Sequence, residues 1–234
     1  MRKKRSHTIK VLSVFLLLSA LMSCKVTPPK EVSPEIPESE IVFDSDLSVN
    51  VTTTPRDSLV VVVNNNTDKI VELQFTLKFF TAEKKANYDS ADSLVGVPPK
   101  AKVALEFEQP PNTAYYQLQV SAAEDKVISH YREVELSSKE DKAAEEITIT
   151  AKNKAKEELA WVSVGVVFYQ ENKVIGYGYD MIDQVPAGKT RELCVYYPFD
   201  ADYNTLKFDR YEILLLEAFT FAPSAGQEEA DDEG

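Results

Sequence analysis

Acid-base or nucleophilic catalysis needs a base beside a nucleophile, and this sequence supplies few groups of that kind. Its 234 residues hold two histidines, two cysteines and one tryptophan. His7 lies in an N-terminal leader, which leaves His130, in Val127-Ile-Ser-His-Tyr-Arg-Glu-Val134, as the sole histidine for a catalytic arrangement. The alternation of that stretch reads as a strand with His130 facing solvent. Cys194, in Glu192-Leu-Cys-Val-Tyr196, has no electropositive neighbourhood to activate it and reads as an inert thiol. Carboxylates are abundant, yet no motif locates an acid/base pair among them. Asp200-Ala-Asp-Tyr-Asn204 copies positions one, three and five of an EF-hand loop, but Thr205 and Tyr211 stand where the Gly and the bidentate Glu belong. An acidic turn is favoured there over a weak Ca²⁺ loop. No catalytic residue, cofactor or metal site is expected.

Contact chemistry has better candidates. Trp161 follows Leu159 and precedes Val162, and the alternation that buries Val162 and Val164 sends Trp161 and Ser163 to the opposite face. An aromatic placed there serves as a binding anchor, with Tyr177 and Tyr179 extending the patch, or as a filler at an edge or between domains. Tyr196 and Tyr197 are available to the same patch, or for pairing across strands.

The elements that must position these residues are strands. Apolar residues recur with period two, as in Phe43, Ser45, Leu47, Val49, Val51 and in Leu73, Phe75, Leu77, Phe79. Ser137 to Glu146 has helical composition without an apolar stripe, which predicts a loop or one loose helical turn. The chain also repeats itself. At an offset of 89, Asn64 meets Asn153, Leu73, Phe75 and Leu77 meet Val162, Val164 and Val166, Glu72 meets Trp161, Phe79 meets Phe168 and Tyr88 meets Tyr177. At an offset of 88, Val97-Pro98 meets Val185-Pro186, Leu105 meets Leu193 and Pro110 meets Pro198, and Tyr116-Gln-Leu118 lines up with Tyr211-Glu-Ile213. Ordered agreement of this kind points to two copies of one module. Copy size, short strands and turn signals such as Pro186-Ala-Gly-Lys189 predict an all-β protein of two tandem immunoglobulin-like antiparallel β-sandwich domains, 41–124 and 125–222.

Ile147-Thr-Ile-Thr-Ala-Lys-Asn153, Val162 to Tyr169, Lys173-Val-Ile-Gly176 and Val185-Pro-Ala-Gly-Lys189 resemble the FxLYD family of bacterial extracellular modules. The first copy keeps Phe75-Thr-Leu77 but has Lys78-Phe79 in place of Tyr-Asp, and the second has Val164, Val166 and Tyr169-Gln170. The resemblance implies a secreted sandwich and names no activity.

Address is legible at the N-terminus. Arg2, Lys3, Lys4, Arg5 and Lys10 precede an apolar run from Val11 to Met22, a positive head and short core that read as a signal peptide. Twelve residues fall far short of the ~20 that span a bilayer as a helix. Leu21-Met22-Ser23-Cys24 resembles the lipobox of bacterial lipoproteins, which implies removal of residues 1–23 and lipidation of Cys24. Residues 24–40 then form a lipidated, proline-rich tether reaching roughly 50 Å at ~3.1 Å per residue. Residues 223–234 read as a disordered acidic tail.

Cleavage removes five of the 26 basic residues and no acidic one, which moves the formal charge from −12 to −17. So acidic a body excludes sequence-independent binding to nucleic acid. It leaves the acyl chains as the attachment to the membrane, each buried CH₂ contributing about 0.8 kcal/mol. The expected localisation is the bacterial cell envelope, extracytoplasmic, and the outer membrane where there are two, since Lys25 rather than Asp follows the cysteine. A non-catalytic binding or scaffolding lipoprotein with a protein or glycan partner is the leading reading. A proteinase-inhibitor-like sandwich and a hydrolase with an unlocated carboxylate site stay open.

Overall fold

β-branched and aromatic runs punctuated by Asn, Asp, Pro and Gly turns favour a pleated, half-buried backbone. The structure, a computed structural model, describes residues 38–221. The signal peptide, Cys24, nearly all of the tether and the acidic tail lie outside the described residues. These residues form strands and no helix. The first half carries β1 (Glu40–Phe43), β2 (Leu47–Thr53), β3 (Ser58–Asn65), β4 (Val71–Phe80), β5 (Ala86–Val97), β6 (Lys102–Glu108) and β7 (Tyr115–Glu124). The second carries β8 (Ile128–Ser129), β9 (Val134–Asp141), β10 (Glu146–Asn153), β11 (Leu159–Gln170), β12 (Lys173–Val185), β13 (Thr190–Tyr196) and β14 (Arg210–Thr220).

The protein is an all-β, immunoglobulin-like sandwich structure. Sheets of order β1-β7-β4-β5 and β2-β3-β6 make the first half, and β8-β14-β11-β12 and β9-β10-β13 the second. Each second-half strand takes the place of the first-half strand seven numbers earlier. One pairing differs, because β1 runs parallel to β7 whereas β8 runs antiparallel to β14. Ser137 to Glu146 is neither loop nor helix throughout: it supplies the end of β9, a turn and the start of β10. β9 is an edge strand with most residues exposed, and an edge needs no apolar stripe.

Two buried asparagines hold corresponding corners. Asn65 donates from Nδ2 to the carbonyls of Lys69 and Val97, both at 3.0 Å, and accepts from Thr67 N–H at 3.0 Å. Asn153 donates to the carbonyls of Glu157 and Val185, both at 2.9 Å, and accepts from Ala155 N–H at 2.8 Å. Every partner is displaced by 88 residues, so the counterpart of Asn153 is Asn65 and not Asn64. The offset becomes 89 only inside the next strand, where Ala160-Trp161 of β11 stands against Glu72 of β4: Val71 and Leu159 pair with Val97 and Val185, whereas Leu73 and Val162 pair with Leu94 and Ile182. It returns to 88 at the β11–β12 turn. Tyr88 pairs with Phe79 and Gly176 with Phe168, so Tyr177 is not the counterpart of Tyr88.

The copies differ in what covers their outer faces. On β3, Leu59, Val61 and Val63 face the first-half core as Ile147, Ile149 and Ala151 of β10 face the second. The alternate residues are Val60 and Val62 in β3 but Thr148 and Thr150 in β10. Val60 and Val62 are buried nonetheless, in a cluster that also contains Val167 and Tyr169 of β11 and Leu214 and Leu216 of β14. Strands β11 and β14 touch β6, and β12 touches β3. The sheet β2-β3-β6 of the first half therefore packs on the sheet β8-β14-β11-β12 of the second, whose other face covers its own core.

Val60→Asp should cost more than ~3 kcal/mol by burying an unpaired charge in this interface, while Thr148→Asp at the equivalent position of β10 should cost less than ~1 kcal/mol. Denaturant melts of the two variants compare them directly. Asn153→Ala should cost about 2–4 kcal/mol, because two buried carbonyls and one N–H lose their partner together.

Candidate functional site

The packing of the two halves leaves a cleft of about 810 Å³. First-half walls come from the β2–β3 turn, β5 and β6; second-half walls come from β11, β12, β13 and β14. Trp161, Tyr177 and Tyr179 all line it, together with Phe199, Phe219 and Phe221. Its charged groups are Arg56, Asp92, Glu106 and Glu217. Tyr196 stands at the rim, 68% exposed, and Tyr197 contributes to the wall while packing against Phe208 at 4.8 Å.

Glu217 is the polar centre of the cleft. It is 6% exposed, and its carboxylate accepts from Val95 N–H at 2.9 Å through Oε1 and from Trp161 Nε1–H and Ser163 Oγ–H, each at 2.9 Å, through Oε2. One acid thus ties β5 of the first half to β11 of the second. A β-bulge aims it. Ser163 pairs with Glu217 but Val164 pairs with Leu215, so Leu216 is the extra residue, and Leu216 and Glu217 both turn toward the first half where strict alternation would separate them. Burial and the nearby Asp92 charge raise the Glu217 carboxyl above the usual range, outweighing the hydrogen bonds that favour its anion.

Ser163 was expected on an outward face and is instead fully buried; Trp161 is half-buried. The alternation is as the sequence predicts, but the face opposite Val162 and Val164 is covered by the first half rather than by water. Tyr177 crosses that boundary and donates from its hydroxyl to the Ala104 carbonyl at 2.8 Å. Its ring lies over Gly165, where a Cβ would come within 2.8 Å of a ring carbon. Tyr179, next but one along β12, is 44% exposed toward the cleft. Between them Gly178 lets β13 approach, for a Cβ there would meet Val195 Cγ1 at 2.1 Å. The Gly-Tyr-Gly-Tyr run of β12 is thus a strand with bare backbone toward its own core and tyrosines toward the first half.

At the other end of the cleft, the Arg56 guanidinium lies 4.5 Å from the centre of the Phe199 ring. It stands 3.7 Å from Glu106 and donates to Glu108 at 2.8 Å. Glu106 also accepts from Ser58 Oγ–H at 2.5 Å, and burial still raises its carboxyl. Cys194, half-buried beside this wall, donates to Glu146 at 3.1 Å, and burial with that carboxylate pushes its thiol up to about 11. Such a thiol carries little thiolate at neutral pH.

His130 does not face solvent. It lies just past β8, 6% exposed, with Nδ1 2.6 Å from Glu133 and Nε2 3.2 Å from Thr220 Oγ1, because the return of the chain along β14 covers it. The Asp200 loop closes on itself: Asp200 Oδ1 accepts from the Asp202 and Asn204 N–H groups at 2.9 and 2.8 Å, which holds its carboxyl below the usual range. Among the described residues no three His, Cys, Asp or Glu side chains group to hold a metal ion.

No protein-family model matches the chain, and no curated protein is similar to it. Among solved structures it is similar to red sea bream transglutaminase, at 12% identity and a TM-score of 0.25, over 66% of this chain and 27% of that one. The chain spans about a quarter of that neighbour's length, and a likeness at this level carries no argument about fold or activity.

Signals for the cleft were present in the sequence outside the aromatic patch. Leu159 to Tyr169 and Ser58 to Val63 lack polar alternation, the mark of strands covered on both faces. Glu217 interrupts the apolar run Ile213 to Phe219, and an acid in such a run is buried with partners.

A carboxyl whose folded pKa lies above its unfolded value stabilises the fold below the unfolded value, and that contribution is withdrawn as pH rises through the folded one. Wild type should therefore lose stability relative to Glu217→Gln as pH rises from about 4 to 7, whatever constant cost the variant carries. Chemical denaturation at several pH values measures the convergence. Trp161→Phe should cost about 1 kcal/mol by removing the indole donor while keeping apolar contact in the cleft.

Proposed function

We propose that this chain is a membrane-anchored, non-catalytic binding protein of the bacterial cell envelope, held on the extracytoplasmic side by acyl chains on Cys24, and that its partner enters the cleft between the two sandwiches. The cleft carries the reading. Its volume lies in the range of small-molecule and side-chain sites, and it joins aromatic walls to a few fixed polar groups. Its buried polar groups are already engaged, Glu217 and Tyr177 in bonds between the halves and Glu106 with Ser58 of its own half, which favours recognition over turnover. The basic head, short apolar run and Cys24 support the anchor.

Two measurements test the proposal. Cys24→Ala should abolish incorporation of a fatty-acid analogue and release the protein from the membrane fraction; equal labelling and equal membrane retention would reject the anchor. A partner captured from the native envelope by the full-length protein should be lost with Tyr179→Ala and kept with Tyr203→Ala, an 82% exposed aromatic that does not line the cleft. Capture that ignores both substitutions would place recognition elsewhere.

A further inference from the structure

We propose that the open part of the cleft takes an organic ammonium group, held among Trp161, Tyr179 and Phe219 and the carboxylates of Asp92 and Glu217. The inference rests on the reading of the cleft as a binding site and names the chemistry that site selects. Charge comes first. Three carboxylates, Asp92, Glu106 and Glu217, meet one guanidinium, Arg56, so the lining carries a formal −2 before any ligand arrives. An anion would face that field unfavourably at a few ångströms, in a recess where water screens poorly. The formal charge of −12 on the whole chain adds long-range attraction for cations.

The cleft already shows how it holds a cation. Arg56 rests against the Phe199 ring at 4.5 Å with Glu106 at 3.7 Å, an aromatic face and a carboxylate on one positive group. That pair uses up one end. At the other end Trp161, Tyr179, Phe219 and Phe221 supply the aromatic surface, and Asp92 and Glu217 supply the carboxylates. Among the described residues neither acid is in an ion pair, and no lysine lines the cleft. Aromatic faces and carboxylates together attract alkylammonium ions. Asp92 is exposed at the mouth and Glu217 buried at the floor, so a cation entering the cleft passes one acid on the way to the other.

The chain contains a single tryptophan, Trp161, so its intrinsic fluorescence reports events in the cleft without a label. Full-length protein in detergent micelles is titrated with choline, with spermidine, with 3,3-dimethyl-1-butanol as the neutral isostere of choline, and with cellobiose as a neutral stacking ligand. Choline or spermidine should shift the emission saturably, with the neutral isostere at least about tenfold weaker. Asp92→Asn should weaken the ammonium probe about fivefold while the melting temperature stays within a degree or two. Equal responses to choline and its isostere, indifference to Asp92→Asn, or a response to cellobiose alone would overturn the cationic assignment and leave the cleft as a binding site. Silence toward all four probes also overturns it. Envelope capture that ignores Tyr179→Ala is the separate result that removes the cleft itself.

Discussion

Burial of both faces of one sheet is the constraint on which the rest of the structure depends. The sheet β8-β14-β11-β12 covers its own core with Val162, Val164, Val166 and Phe168, and covers the first half with Val167, Tyr169, Leu214 and Leu216. A strand covered on both faces cannot alternate apolar with polar residues, and β11 and β14 do not. The facing strand β3 carries valine on the side where its repeat partner β10 carries threonine. Two copies of one fold thereby acquire different surfaces, one made for packing and one made for water.

The same interface explains its polar groups. A dry sheet-on-sheet contact tolerates a carboxylate only where donors converge on it. Glu217 meets three, one from the first half and two from the second, and the bulge at Leu216 turns it toward them. The Lys102–Glu212 ion pair at 2.6 Å, shared with the Tyr169 hydroxyl at 2.9 Å, does similar work at the half-exposed edge of the contact. Each of these links joins first-half to second-half residues or stiffens the strand that carries the link, so the angle between the sandwiches is fixed by specific bonds as well as by apolar area.

The cleft follows from this geometry. The recess lies where the two halves meet, and the strands that border it decide what lines it. β12 presents Tyr177 and Tyr179 to the recess because Gly176 and Gly178 on its other face let Pro198 and Val195 come close. β14 contributes Glu217 from its bulge and Phe219 two residues further on. Aromatic surface and carboxylates are brought together in the recess by packing requirements.

Periodicity and internal repetition determined much of the architecture. Alternation in Leu73, Phe75, Leu77 and Phe79 is a local property of the backbone, and it reads directly as strands of a sandwich; repeated Val-Pro turns and the Asn corners bound the same strands in both copies. Trp161 was visible as an aromatic on the face opposite Val162 and Val164, with Tyr177 and Tyr179 available to extend its patch; Tyr177 proves to be packed against the first-half cluster. Tertiary structure decided what lay against them. Periodicity says which residues share a face and says nothing about what covers that face, so Ser163 reads as exposed by alternation and is buried by the first half. His130 likewise reads as a solvent-facing strand residue until the return of β14 covers it. The register of the repeat shifts by one residue at Ala160-Trp161 and back at the β11–β12 turn, which leaves a similar pattern on either side; the shared hydrogen bonds of Asn65 and Asn153 and the strand pairings show where each shift falls. The pairing of Glu217 with Val95 spans 122 residues of chain, a distance over which no local pattern carries information.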